Sequence, residues 1–161
     1  MKTLLILRHA KATPKDEGID DFDRGLNDRG KRDATRMGLL LNDEHLLPDL
    51  IVASNARRAR KTAELAASAC GFHGETRLKG ELYGAGRGGL LEAVCSLPDT
   101  ASRVLLVGHN PELEELLELL IGSYRPLATA TLAQVELPID GWRQTGERPA
   151  LLKNLWQPRE L

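Results

Sequence analysis

The chain of 161 residues has little of what marks secreted, membrane or nucleic-acid-binding proteins. It holds 2 cysteines, too few for a disulfide framework, which favours free thiols in a reducing compartment. Its 22 Lys+Arg against 23 Asp+Glu leave a net charge of −1 and no overall basic field for nucleic acid or anionic lipid. The first apolar run ends at Arg8, too early for a signal-peptide core or membrane span. A cytoplasmic protein that binds neither nucleic acid nor membrane is expected.

Aromatic residues make up only 4% of the chain and offer no obvious recognition patch. Hydrophobic residues at 42% and charged residues at 28% are typical of globular proteins. A chain of this length is expected to form one domain over residues 1–161.

Short apolar runs alternate with segments of helical periodicity along the chain. The predicted strands are 3–7, 50–53, 76–78, 104–107, 131–137 and 151–156, and the predicted helices are 28–42, 56–70, 90–97 and 112–121. This alternation predicts an α/β three-layer sandwich with a mainly parallel central sheet, helices on both faces and the last two strands at a sheet edge. Ligands of such sheets bind beyond the carboxyl ends of the strands.

Distinctive side chains follow three of these strands. Arg8 and His9 follow the first, the segment 54–58 follows the second, and His109 follows the strand at 104–107. Guanidinium groups suit phosphate oxygens, and an imidazole can attack phosphorus. If these strand ends converge, they form a phosphoryl site.

The polar segment from Lys11 to Asn27 is interpreted as an active-site loop because long connections without regular structure are usually functional or mobile. Within it, Arg24 either reaches the substrate or is an ordinary loop cation. Asp20, Asp21 and Asp23 could bind magnesium, but they do not directly follow a strand, and a hydrated loop is the favoured interpretation.

Three segments in chain order resemble the histidine phosphatase superfamily. They are Arg8-His9-Ala10, Ser54-x-Ala56-x-Arg58-Ala59-x-x-Thr62-Ala63 and Val107-Gly108-His109-Asn110-Pro111. Within the superfamily, the short chain, Ala10 in place of the commoner glycine and the segment 21–30 resemble the SixA-type phosphohistidine phosphatases. The resemblance extends over essentially the whole chain, up to Leu161.

The resemblance implies that His9 is the nucleophile and that Arg8, Arg58 and His109 grip the phosphoryl oxygens. Cations preorganised around those oxygens supply the stabilisation, so neither a metal nor another cofactor is required. The expected substrate is a phosphorylated protein such as a histidine phosphocarrier. The alternative is a small phosphoester, hydrolysed by a phosphomonoesterase of the same superfamily. A module that only binds phosphohistidine would be expected to lack the nucleophile, whereas His9 is present.

Many members of the superfamily use an acidic residue to protonate the leaving group, and Glu81 is the nearest candidate, with a surface role as its alternative. An imidazole leaving group, with a pKa near ~6.5, needs less acid help than an alkoxide. A weakly supplied acid therefore favours phosphate bound to nitrogen.

Three further patterns are interpreted as structural. The segment 84–89 satisfies G-x-G-x-x-G but follows no convincing strand, which favours a flexible turn. Cys70 and His73 have metal-like spacing without a second pair of ligands. Arg57, Arg60 and Lys61 are expected on a solvated helix face.

Overall fold

A six-stranded mixed sheet organises the computed structural model, which describes the backbone of residues 1–161 and every side chain except that of Arg87. The strands are β1 (Lys2–Arg8), β2 (Leu50–Ser54), β3 (Thr76–Lys79), β4 (Arg103–Gly108), β5 (Leu132–Leu137) and β6 (Leu151–Trp156). The helices are α1 (Asp28–Asp43), α2 (Arg57–Cys70), α3 (Gly86–Cys95) and α4 (Glu112–Ile121). Short 3₁₀ helices cover Asp21–Asp23, Gly80–Leu82, Trp142–Gln144 and Pro158–Glu160.

The strand order is β3-β2-β4-β1-β5-β6. The first four strands in this order pair in parallel, and β5 and β6 complete one edge as antiparallel strands. The predicted α/β class, the mainly parallel sheet and the edge position of the last two strands are confirmed.

Alternate residues of the central strands supply two cores, one on each face of the sheet. In β4, Val104 and Leu106 pack with α3 and α4, whereas Leu105 and Val107 pack with α1 and α2. All four are at most 2% exposed. A strand buried on both faces has no polar alternation, which explains why this sequence is a continuous apolar run.

The glycine-rich segment departs from its predicted structure. Residues 86–89 form the first turn of α3 rather than a flexible turn, so the predicted start of the helix at Leu90 is wrong. Leu90 and Val94, which lie one turn apart, are buried in the core beside α4. Burial of this apolar stripe outweighs the low helix propensity of glycine.

Close packing of α1 on α2 leaves no free space for a side chain at Gly38. A Cβ added there would overlap the carbonyl oxygen of Ala66, a backbone atom that cannot swing away. Although alanine is the better helix former, we expect Gly38→Ala to lower the free energy of unfolding by about 1–3 kcal/mol. Urea denaturation measures this value.

Gly88 in α3 provides the matched control, because a Cβ there meets nothing within 4 Å. Gly88→Ala is expected to leave stability unchanged or raise it by up to about 1 kcal/mol. Equal effects of the two substitutions would show that helix packing at Gly38 is not the cause.

The parallel pairing brings three strand ends to one edge of the sheet. Arg8 pairs with Gly108, and Ala53 pairs with Val107. The residues that follow β1, β2 and β4 therefore emerge side by side.

Among the described residues, no helix is long and apolar enough to cross a membrane.

Candidate active site

His9 lies at the carboxyl end of β1 with only 7% of its surface exposed. Its backbone N–H donates to Gly108 at 3.0 Å, which ties it to the end of β4. Its Nδ1 lies 2.8 Å from the carbonyl oxygen of Ala10. A carbonyl can only accept, so Nδ1 carries the proton and Nε2 of the neutral ring keeps its lone pair. This is the tautomer that a nucleophilic histidine requires.

Three arginines share a cavity of about 290 Å³ with His9. The cavity is lined by Arg8, His9, Lys11, Ala12, Arg24, Arg58, His109, Asn110 and Thr129. Arg8 Nη1 donates to the carbonyl of Leu127 at 3.0 Å, which orients its guanidinium. Arg58 lies in the first turn of α2 and is 6% exposed. The half-buried guanidinium of Arg8 and the buried one of Arg58, beside a neutral imidazole, form a cationic cradle for an anion.

His109 follows β4 and completes the cluster. Its ring centroid lies 5.3 Å from that of His9. Its Nε2 lies 2.9 Å from the hydroxyl oxygen of Ser54, at the end of β2. The expected meeting of residues that lie far apart in the sequence is thus present in the structure.

The loop between β1 and α1 closes over Arg58 through Asp21. Arg58 donates from Nη1 to the backbone carbonyl of Asp21 at 2.7 Å and from Nη2 to its carboxylate at 3.0 Å. The same carboxylate accepts from Arg24 Nε at 3.0 Å and from the hydroxyl of Tyr83 at 2.6 Å. Asp21 therefore holds Arg58 and Arg24 in place at the cavity.

The hydrogen bond from Tyr83, followed by those from Arg58 and Arg24, holds the pKa of Asp21 far below its ordinary value. Its carboxyl group is ionised at neutral pH and has no proton to donate.

Burial lowers the pKa of both site histidines. Desolvation, followed by the charges of nearby groups that include Arg58, lowers the pKa of His9 to about 3 and that of His109 to about 4. An imidazole that stays neutral is ready to attack phosphorus.

We expect NMR titration of the free protein to show both imidazoles unprotonated at pH 5. The unfolded chain binds protons as pH falls below the ordinary value of 6.5, and the folded chain does not until pH approaches 4. The two histidines therefore destabilise the folded state increasingly as pH falls below 6.5, and they have no such effect above it. Urea unfolding at pH 7 and pH 5 measures this loss of stability, which should be smaller in His9→Ala. Titration midpoints near 6.5 would contradict the expected burial effect.

Arg24 and Glu81, the two residues predicted to contact the substrate, lie in different places in the structure. Arg24 lines the cavity with His9. Glu81 lies on the 3₁₀ helix Gly80–Leu82, is exposed, and lines a different groove, beside Arg77 and Lys79. The structure does not bring Glu81 to the cavity.

Among the described residues, no group of three or more His, Cys, Asp or Glu side chains is placed to hold a metal ion. Asp21, weighed as a magnesium ligand and interpreted as part of a hydrated loop, is instead bound by two arginines.

Sequence reasoning missed Tyr83 and the role of Asp21. Tyr83 contacts the His109 ring edge-on at a centroid distance of 5.4 Å, and its hydroxyl binds Asp21. Phe22 packs against Tyr83 in the same manner at 5.4 Å. The one available signal was the position of Asp21 within the Asp21–Gly30 segment that resembles SixA proteins. Nothing in the sequence singled out Tyr83.

A model of the histidine phosphatase superfamily (branch 1) matches residues 4–88. An uncharacterized protein of Mycobacterium tuberculosis is 36% identical over 105 residues, which are 65% of this chain and 63% of that protein. The match thus spans less than two thirds of that relative's length.

Two solved structures are similar over nearly the full chain. A protein of Agrobacterium tumefaciens assigned as the phosphohistidine phosphatase SixA has a TM-score of 0.85 at 30% identity and covers 98% of both chains. A protein of Nakamurella multipartitia with the same assignment has a TM-score of 0.80 at 32% identity, covering 98% of this chain and 96% of that one.

Proposed function

This chain belongs to the histidine phosphatase superfamily, and on that premise we propose that it is a phosphatase that hydrolyses phosphohistidine on a protein. His9 accepts the phosphoryl group, and Arg8, Arg58 and His109 hold its oxygens. The reaction needs no metal, and we place it in the cytoplasm. The assignment of two similar structures as SixA phosphohistidine phosphatases supports this substrate class.

One observation carries the choice of substrate: no carboxyl group is among the residues that line the described cavity. Asp21, at its rim, is held ionised by Tyr83, Arg58 and Arg24. Expulsion of an alkoxide requires a general acid, whereas an imidazole leaves with far less help because its pKa is near ~6.5. A cavity rich in cations and without an acid suits cleavage of a nitrogen–phosphorus bond.

The reaction proceeds in two displacements. Nε2 of His9 forms a bond to phosphorus as the bond from phosphorus to the substrate imidazole breaks, and the departing nitrogen takes a proton from water. A water molecule then attacks phosphorus, the His9–phosphorus bond breaks, and phosphate leaves. Charge on the nonbridging oxygens is stabilised by the two guanidinium groups throughout.

The test is to incubate the protein with a histidine-phosphorylated carrier protein and, separately, with a phosphomonoester, both with chelator present. We expect phosphate release from the carrier and an acid-labile phosphoryl group that mass spectrometry locates on His9. Loss of turnover on adding chelator, or a label on another residue, would contradict the mechanism.

The alternative is a small-molecule phosphomonoesterase, which the open, small cavity also admits. Such an enzyme needs an efficient acid, and Glu81 is the candidate that the sequence offers. Because Glu81 lies outside the cavity, we expect Glu81→Gln to change turnover of both substrates by less than about twofold. A selective loss of ester turnover in this variant would identify Glu81 as the acid and favour the esterase.

A further inference from the structure

A second, larger groove adjoins the catalytic cavity. It has a volume of about 1050 Å³ and lies between the loop after β1 and the amino-terminal parts of α1 and α2. Arg24 lines both this groove and the catalytic cavity. A chain whose phosphorylated residue reaches His9 can therefore continue into the groove.

The groove is unevenly charged. Its cations are Lys15, Arg24, Lys31, Arg57, Arg60 and Lys61, and its carboxylates are Asp16, Glu17, Asp23 and Glu64. The wall built from α1 and α2, which we name the helical wall, consists of Lys31, Arg57, Arg60, Lys61 and Glu64. It therefore carries four cations and one carboxylate, and the remaining carboxylates lie in the opposite loop.

Most cations of the helical wall are available to a ligand. Lys31, Arg57, Arg60 and Lys61 are all exposed. Lys61 is paired with Glu64 at 3.6 Å, while Lys31, Arg57 and Arg60 make no ion pair with any described side chain. Arg57 makes only a long hydrogen bond of 3.5 Å to the carbonyl of Asp23.

The placement of these cations opposes helix stability. Arg57, Arg58, Arg60 and Lys61 fall within the first five residues of α2, and its first turn contains no acidic residue. The amino-terminal end of a helix is its positive end, where carboxylates stabilise and cations destabilise. Arg57 and Arg60 break this preference without an ion pair to any described side chain, whereas Arg58 is paired with Asp21 and Lys61 with Glu64. Unpaired cations at this end of a helix indicate a function outside folding.

From this geometry we propose that the helical wall docks an acidic segment of the phosphorylated protein substrate, next to its phosphohistidine. The proposal rests on the proposed function and adds the partner's chemistry to it. A concave groove fits a protruding protein segment better than a flat membrane surface, and the net charge of −1 gives nucleic acid no extended field. Complementary charge at this groove raises the association rate and the affinity for such a segment.

The test compares two phosphohistidine peptides of equal length, one flanked by Asp and Glu and the other by Asn and Gln, together with phosphoimidazole. At low ionic strength the kcat/KM of the wild-type protein should be about tenfold higher for the acidic peptide than for the neutral peptide. The difference should come from a lower KM for the acidic peptide. Lys31→Glu/Arg60→Glu should lose this preference and turn over phosphoimidazole as the wild type does. Added salt should reduce the wild-type preference.

Arg148→Glu/Lys153→Glu is the matched control. Both residues are exposed, Arg148 lies at the opposite end of the sheet and Lys153 lies in the edge strand β6. This variant makes the same change in net charge and should keep the preference. A wild-type protein without the preference, or a groove variant that retains it, would overturn the proposal.

A binding measurement distinguishes failure of this proposal from failure of the proposed function. Fluorescence anisotropy with His9→Ala measures affinity for the same peptides without turnover. If no phosphohistidine substrate is hydrolysed by the wild type, the proposed function fails, but stronger binding of the acidic peptide still supports the groove. Tighter binding of a single-stranded oligonucleotide than of the acidic peptide would overturn it.

Discussion

Replacement of His9 by alanine is expected to lower kcat by at least about 10³-fold and to abolish the acid-labile phosphoenzyme. In the proposed mechanism, Nε2 of this buried, neutral ring forms the bond to phosphorus, and the contacts of His9 with Ala10 and Gly108 hold the ring in place. Single-turnover assays with a histidine-phosphorylated carrier, followed by alkaline separation of the labelled protein, measure both effects.

Retained binding is the control for this prediction. His9→Ala keeps Arg8, Arg58 and His109, so it should still bind phosphate or the carrier with an affinity within about an order of magnitude of the wild type. Its circular dichroism should be unchanged. Substantial turnover with a phosphoryl label on His109 instead would show that the second imidazole is the nucleophile.

The second large effect is expected for Arg58→Ala, which should lower kcat/KM by about 10²–10³-fold. Arg58 is buried and lines the cavity with His9, and in the proposed mechanism its removal takes away positive charge from the position where negative charge develops. Arg58→Lys should recover only part of the loss, because an ammonium group lacks the planar fork that matches two phosphate oxygens. Steady-state kinetics with phosphoimidazole measure the effect without a docking contribution.

Asp21→Ala distinguishes the charge of Arg58 from its role in holding the loop. This variant keeps the guanidinium but removes the carboxylate that binds Arg58, Arg24 and Tyr83. We expect a smaller loss of kcat/KM, about tenfold, because Arg58 keeps its 2.7 Å bond to the backbone carbonyl of residue 21. Equal losses in Asp21→Ala and Arg58→Ala would show that loop anchoring, and not charge on phosphate, explains the effect of Arg58.

Tyr83 and Phe22 change the interpretation of the aromatic content. Only 4% of the chain is aromatic, yet these two rings meet beside His109, with 37% and 36% of their surfaces exposed. Composition averages over the chain and contains no information on clustering. A low count therefore did not exclude an aromatic rim at the site.

Local pattern was sufficient for the elements and for the residues at strand ends. The apolar run of β4 identifies a strand because both of its faces are buried, and the helical spacing of apolar residues in α1 identifies a helix because one of its faces is buried. Arg8, His9, Arg58 and His109 were found because each lies at or just beyond a strand end, within a segment that resembles one family. Glycines 86–89 were misjudged because tertiary burial of Leu90 and Val94 overrides local propensity.

The sequence by itself determined the α/β class, the order of its strands and helices, and the four side chains that meet at the carboxyl ends of β1, β2 and β4. Only the tertiary structure decided that Asp21 binds Arg58, Arg24 and Tyr83, that Glu81 faces another groove, and that the cations of α2 adjoin the cavity. The physical reason is the separation along the chain of the residues that produce each feature. Periodicity and strand ends are properties of neighbours in the chain, whereas a contact such as that of Asp21 with Tyr83, 62 positions away, depends on how separate elements pack.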